Sequence, residues 1–96
     1  MQLRRQVGWE QVVTAVEAVK GERWAQFRDR RKDWGRDVAF WLAQRYAGLT
    51  LKELARRGGG LDYTTVGYGI KQIERRRLAE PRLRKGIEQA EELLRN

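Results

Sequence analysis

Trp9, Val12, Val16 and Val19 recur at three- and four-residue spacing, and Gly21 stands where that pattern stops. The spacing predicts a first helix, which, being valine-rich, depends on packing rather than on propensity. Trp24 and Phe27 are the expected core anchors of a shorter helix over 22–28. A polar run over 29–33 follows and predicts a connection. Over 34–47, Trp34, Val38, Trp41 and Leu42 mark one side, while Ala39, Phe40, Ala43 and Ala47 cover much of the rest. A helix apolar nearly all round is a buried one, so this segment is expected to be the central pillar. Its aromatic residues could instead form a base-stacking platform, but their helical spacing favours a core role.

The stretch 50–77 predicts a short helix, a glycine turn and a longer helix, the pattern of a helix-turn-helix. Thr50 and Glu53 form a capping box, Leu51, Leu54 and Ala55 supply an apolar side, and Gly58, Gly59 and Gly60 end the first helix. Asp62 is placed to N-cap the second, in which Val66, Ile70 and Ile73 make the buried stripe. At about 100° per residue, Thr64, Tyr68, Lys71 and Arg75 fall on the opposite side. Two glycines interrupt this helix at a cost of roughly 1 kcal/mol each against alanine. Gly69 is expected to let the two helices of the motif cross closely, and Gly67 to let backbone approach a groove wall; tolerated drift is the plainer account. A last helix is expected to begin at Glu80-Pro81, with Leu83, Ile87, Ala90 and Leu94 as its stripe. The sum is an all-α single domain of about six helices over 9–96. Residues 1–8 carry Arg4 and Arg5 but no periodic pattern, and are expected to be a disordered linker or tag remnant.

The run Gly59-Gly60-Leu61-Asp62-Tyr63-Thr64-Thr65-Val66 resembles the signature of the DNA-binding C-terminal domain of the bacterial replication initiator DnaA, Gly-Gly-Arg-Asp-His-(Ser/Thr)-Thr-Val. Leu51-x-x-Leu54 before it and Ile70-x-x-Ile73-Glu74 after it extend the resemblance, as does Arg36-Asp37-Val38-Ala39 upstream. The variant Leu-Asp-Tyr, preceded by Asp33-Trp34-Gly35-Arg36-Asp37, is more similar to the DnaA-type domain of REP-associated tyrosine transposases. Leu61 stands where the initiators carry an arginine, Tyr63 where they carry a base-contacting histidine, and Gly58 where an apolar residue packs under the turn. The resemblance implies a Trp-repressor/DnaA C-terminal-like fold and contact with DNA, but not the initiator's recognition sequence. It also implies that a basic loop beside the recognition helix touches DNA, which makes Arg28, Arg30 and Arg31 candidates, with a solvated loop as the alternative for such a charge run; Arg36, on the first turn of the next helix, could reach a phosphate. With them the candidate DNA-binding set is Lys52, Asp62, Tyr63, Thr64, Thr65, Gly67, Tyr68, Lys71 and Arg75.

Charge strengthens this picture. The 96 residues carry a formal net charge of +8, with no histidine and no cysteine. A polyanionic partner is the leading expectation for such a chain. Between Lys71 and Lys85 stand seven basic and two acidic residues, which suggests a phosphate-facing patch. In the last helix the charges oppose the dipole: Arg82, Arg84 and Lys85 come first, Glu88, Glu91 and Glu92 last.

The missing residue types narrow the chemistry. Without histidine or cysteine the usual metal ligands and general bases are absent, and Gly58-Gly59-Gly60 lacks the Lys-Ser/Thr of a phosphate-binding loop. Tyr46, Tyr63 and Tyr68 are conceivable strand-transfer nucleophiles, but no histidine-rich metal site accompanies them, and Glu91-Glu92 is expected to face water. A non-enzyme is expected, with no cofactor, no small-molecule substrate and no membrane partner. A monomer is expected too, in the cytoplasm at the bacterial nucleoid, its catalytic partner domain elsewhere if it serves a transposase. The functional reading is sequence-specific binding of double-stranded DNA, as the recognition domain of a transposase or an initiator-like protein. The alternative is a basic helical module that docks an acidic protein. An RNA hairpin fits less well, because a recognition helix suits the B-form major groove.

Overall fold

In the computed structural model, which describes residues 7–95, most of the chain lies in six α-helices and no strand occurs among these residues. They are α1 (Trp9–Lys20), α2 (Trp24–Phe27), α3 (Gly35–Leu42), α4 (Leu51–Arg57), α5 (Tyr63–Ala79) and α6 (Pro81–Arg95). A π-helical turn, Ala43–Ala47, prolongs α3 before Gly48 ends it. The Cα radius of gyration, 12.7 Å, matches the roughly 12.5 Å of one folded domain of this length.

The apolar stripes explain the packing. Val38, Ala39, Phe40, Trp41, Leu42 and Ala43 are all buried, so α3 is the pillar that its composition predicts. Around it lie α1, through Val12, Ala15 and Val16, and α5, through Val66, Ile70 and Ile73. On the outside, α6 closes the bundle against α1 and α5 with Leu83, Ile87, Ala90 and Leu94. These residues form one continuous core. The aromatic residues serve that core: Trp9 meets Trp24 edge-on at 5.3 Å and stacks near Phe40 at 6.1 Å, and Trp24 meets Phe27 edge-on at 5.5 Å.

Polar ties fix the helix ends. Lys20 Nζ reaches Asp33 at 2.9 Å and lies 4.3 Å from the Trp34 ring centre and 4.9 Å from that of Phe27. Both side chains of the Lys20–Asp33 pair are only 6% exposed, which makes it a buried ion pair. Burial alone would raise Asp33, but the hydrogen bonds from Lys20 and the Gly35 amide and the charges of Lys20 and Arg30 outweigh it, so its pKa is held low. The Trp41 indole N–H donates to Glu74 at 2.9 Å, tying α3 to α5. The Tyr46 hydroxyl donates to Glu91. Its pKa is raised by burial and then by that carboxylate. Glu91 is therefore half-buried and engaged by α3's extension, rather than facing water as its pairing with Glu92 suggests.

Two sequence expectations shift. The helix expected over 22–28 shrinks to the single turn of α2, because Gly21 and the extended backbone of Arg23 precede it and Glu22 is drawn into an ion pair with Arg30. At the start of the chain, Val7 packs against the core and Gly8 occupies the N-cap of α1. The expectation of disorder for the rest of 1–8, including Arg4 and Arg5, lies outside the described residues. Among the described residues, no helix is long and apolar enough to cross a membrane.

Candidate nucleic-acid interface

The junction between α4 and α5 follows from its sequence almost atom by atom. Thr50 Oγ1 accepts the Glu53 amide at 3.2 Å while Glu53 Oε1 accepts the Thr50 amide at 2.9 Å, the reciprocal pair of a capping box. At the other end of α4 the amides of Gly60 and Leu61 both donate to the Ala55 carbonyl at 3.0 Å. Gly59 and Gly60 hold φ of 106° and 81°, a region that strains any side chain. Gly58 has a different reason. A Cβ there would stand 2.5 Å from Phe40 Cζ, so the ring from the α3 pillar fills the room under the turn. Tyr63 is not needed to fill it, and its side chain is 50% exposed.

Asp62 caps α5 as its position predicts, accepting the Thr64 amide at 2.8 Å and the Thr64 hydroxyl at 2.7 Å. Those two bonds, the hydroxyl's first, hold its pKa below the usual carboxylate range. The amides of Thr65 and Val66 donate to the Asp62 carbonyl at 3.0 and 3.3 Å. The cap thus occupies the Thr64 hydroxyl and three first-turn amides internally. Tyr63 and Thr65 remain exposed beside it.

Along α5 the two sides separate cleanly. Val66, Gly69, Ile70 and Ile73 are buried, whereas Thr64, Tyr68, Lys71 and Arg75 are exposed, with Tyr68 66% so. The two glycines have roles other than those expected. A Cβ on Gly69 would overlap the Asp37 carboxylate, so the close crossing is between α5 and α3, not between the helices of the motif. A Cβ on Gly67 would make an ordinary 3.5 Å contact with Leu51, which puts this residue's flank toward α4. Asp37 itself is pushed above the ordinary carboxylate range by burial, which the charges of Arg36 and Arg76 only partly offset.

The arginines of the α2–α3 connection do not behave alike. Arg30 reaches Glu22 at 2.7 Å, Asp33 at 3.0 Å and the Gln26 carbonyl at 3.2 Å. Arg28 pairs with the exposed Asp29 at 2.8 Å and lies against Gly59, its Cζ 3.4 Å from where a Cβ would stand. Arg36 donates to the Arg28 carbonyl at 3.3 Å. Arg31 is exposed and makes no ion pair among the described residues. The connection thus sits beside the glycine turn, but only some of its cations point to solvent.

Two residues outside the predicted set join it. Arg56 lines a shallow hollow with Lys52, Asp62 and Tyr63; its i, i+4 spacing from Lys52 was the available signal. Arg76 lines a polar hollow with Arg31, Arg36 and Asp37, and its spacing of seven from Gly69 places it on the α3-facing flank of α5. The assembled surface is a helix with a free polar side, flanked by α4 cations on one hand and loop cations on the other. Hydroxyls, aromatic rings and guanidinium groups can hydrogen-bond to and stack on an acceptor-rich polyanion.

Comparison with known proteins agrees with the motif. The chain is 38% identical over 53 residues to the chromosomal replication initiator protein DnaA of Ruegeria pomeroyi, a match covering 55% of this chain and 11% of that protein. To DnaA of Zymomonas mobilis it is 40% identical over 53 residues, and to DnaA of Thermomicrobium roseum 35% over 52, with coverage of 55% and 54% of this chain and 11% of each relative. No protein-family model and no solved structure matches. The chain spans about a tenth of the length of the curated relatives it matches. These similarities support a domain resembling the C-terminal domain of DnaA.

Proposed function

We propose that this domain binds double-stranded DNA sequence-specifically, with α4 and α5 acting as a helix-turn-helix and α5 as the recognition helix. The observation that carries the reading is the outward side of α5. Tyr63, Tyr68, Lys71 and Arg75 are exposed along a helix whose other side is fixed in the core. A B-form major groove, about 12 Å wide, admits such a helix. Tyr63 opens α5, where residues of recognition helices meet base edges, and its ring can contact a thymine methyl. The Thr64 hydroxyl rotates between its bond to Asp62 and a base or phosphate oxygen, while its methyl stays available. Thr65, Lys52 and Arg56 hold phosphates on one side, and Arg28, Arg31 and Arg36 on the other. Arg30, bound to Glu22 and Asp33, braces the loop.

The similarity to DnaA supports a domain of an initiator-like protein, and the Leu61-Asp62-Tyr63 variant favours the recognition domain of a transposase whose catalytic part lies elsewhere. In this reading the domain is non-catalytic, monomeric in isolation and acts in the cytoplasm at the nucleoid. Selection from a random duplex pool, followed by a salt titration on the selected site, tests it. Enrichment of one sequence is expected, with a slope near −4 to −5 in log K against log salt for about five phosphate contacts. No enrichment and a slope near zero, or tighter binding to an acidic protein than to any duplex, would favour the protein-docking alternative.

A further inference from the structure

Arg76 lines two hollows at once. The first, beside the α2–α3 connection, is lined by Arg31, Lys32 and Arg36 and also by Asp29, Asp33 and Asp37. The second runs between α5 and α6 and is lined by Trp34, Arg82 and Lys85, with Glu80. Arg76 is paired with Glu80 at 2.8 Å, so it stands at the join with its own charge largely balanced. Arg31, Lys32, Arg36, Arg82 and Lys85 have no carboxylate within ion-pairing distance among the described residues. Arg82 and Lys85 are both exposed at i, i+3 on one side of α6. Trp34 lines the same hollow, its ring 3.9 Å from where a Cβ on Gly86 would stand.

We infer that these two hollows form one phosphate track, which carries the sugar-phosphate backbone of the bound duplex past the recognition helix and onto the first turns of α6. The inference rests on the DNA-binding reading above and deepens it: α6 belongs to the DNA surface, not only to the scaffold. It also accounts for a feature that stability opposes. Cations at the start of a helix are disfavoured by the helix dipole, yet Arg82 and Arg84 stand in the first turn of α6 and Lys85 follows at once. A polyanion lying along Arg82 and Lys85 turns that arrangement into attraction. Arg84 lines neither hollow and serves as the internal control.

The test uses the full chain with the pool-selected duplex in a short form, limited to the selected site, and in forms extended on either side. The wild-type protein gains affinity when the duplex is extended on the track's side. Arg82→Gln/Lys85→Gln loses that gain, and its salt slope is shallower by about 2, for two phosphates at ~0.9 each. Its ratio of selected to random affinity is unchanged, because backbone contacts carry no base information. Arg84→Gln keeps the length dependence. Melting temperatures are measured alongside, and all three exposed positions should leave the fold intact. A double variant with wild-type slope and length dependence overturns the track while leaving duplex recognition standing. So does an Arg84→Gln protein that loses the length dependence as the double variant does, since net charge alone would then account for both. A wild-type protein that binds no duplex overturns the track together with the reading beneath it.

Discussion

Two regions of this small domain are rich in cations, the α2–α3 connection more so than the outward side of α5, and they differ in what those charges do. In the α2–α3 connection, Arg30 meets three acceptors and Lys20 reaches in from α1 to the buried Asp33. On the outward side of α5, Lys71 and Arg75 meet no carboxylate within ion-pairing distance among the described residues. The first region spends much of its charge holding the fold together; the second leaves its charge to a partner. A count of arginines therefore overstates the loop and understates the helix. The distinction follows from neighbours: Glu22, Asp29 and Asp33 surround the loop cations, while the outward positions of α5 interleave cations with hydroxyls and aromatic rings.

The comparison breaks most visibly at the buried pair. Lys20→Met keeps the stem against Phe27 and Trp34 but leaves Asp33 with only Arg30 and the Gly35 amide. A loss of about 1.5–3 kcal/mol is expected for removing one charged hydrogen-bond partner from that carboxylate, a fall of at least about 6 °C in melting temperature. The salt slope of DNA binding, read well below that temperature, should not move. Asp33's depressed pKa gives the sign of the acid response. The pair's stabilisation is complete above the ordinary carboxylate range near pH 4 and is lost as pH falls below it. Thermal melts from pH 7 to pH 3 should show that loss in the wild-type protein and a much smaller one in Lys20→Met.

On the other region the effect belongs to binding. Tyr63→Ala should cut the selected-to-random affinity ratio by about 1–3 kcal/mol, roughly 5- to 150-fold, if a base contact goes with the ring. Its melting temperature should hardly change, because Phe40 already fills the space under Gly58. A lower melting point with an unchanged ratio would remove Tyr63 from the interface. Smaller still, Lys71→Gln, Arg75→Gln and Arg31→Ala should each make the salt slope shallower by about 0.9, and Arg31→Ala should weaken selected and random duplexes alike. Arg30→Gln should lower the melting temperature and leave the slope in place. Equal slopes for Arg30 and Arg75 variants would erase the contrast between the two regions.

The least effect sits on the sides of α5. Gly67→Ala should stabilise by up to about 1 kcal/mol, since its Cβ meets Leu51 at an ordinary distance. Unchanged DNA affinity in that protein would take Gly67 out of the interface. Asp37 has a raised pKa, so its contribution runs opposite to that of Asp33: stability is fully present below the ordinary carboxylate range and declines as pH rises through the higher folded value. Asp37→Asn should therefore raise the neutral-pH melting temperature, by no more than about 4–8 °C for ~1 kcal/mol, and flatten that decline.

Much of this was legible in the residues. The stripes of α1, α3, α5 and α6, the capping box at Thr50 and the Asp62 cap are local, one-dimensional signals, and the chain obeys them. What the sequence did not show depends on partners distant in the chain. Gly69 reads as a motif crossing until Asp37, thirty-two residues earlier, is brought against it. Glu91 reads as solvated until Tyr46 reaches it. Arg30 and Arg31 are adjacent and identical in type, and only the positions of Glu22, Gln26 and Asp33 separate a brace from a free cation. Arg56 and Arg76 escaped notice because spacing assigns a side of a helix but not what lies across from it.

The residues that a cognate duplex touches distinguish a binding surface on α5 from one elsewhere on the domain. Backbone amide shifts of the labelled protein, followed by NMR as the pool-selected duplex is added, read this directly. The perturbed residues should run from Lys52 through the glycine turn to Tyr63, Tyr68, Lys71 and Arg75, join the connection at Arg28 and Arg31, and spare the core-facing positions of α1. Perturbations confined to α1 and the C-terminal half of α6, with α5 unmoved, would contradict a binding surface on α5.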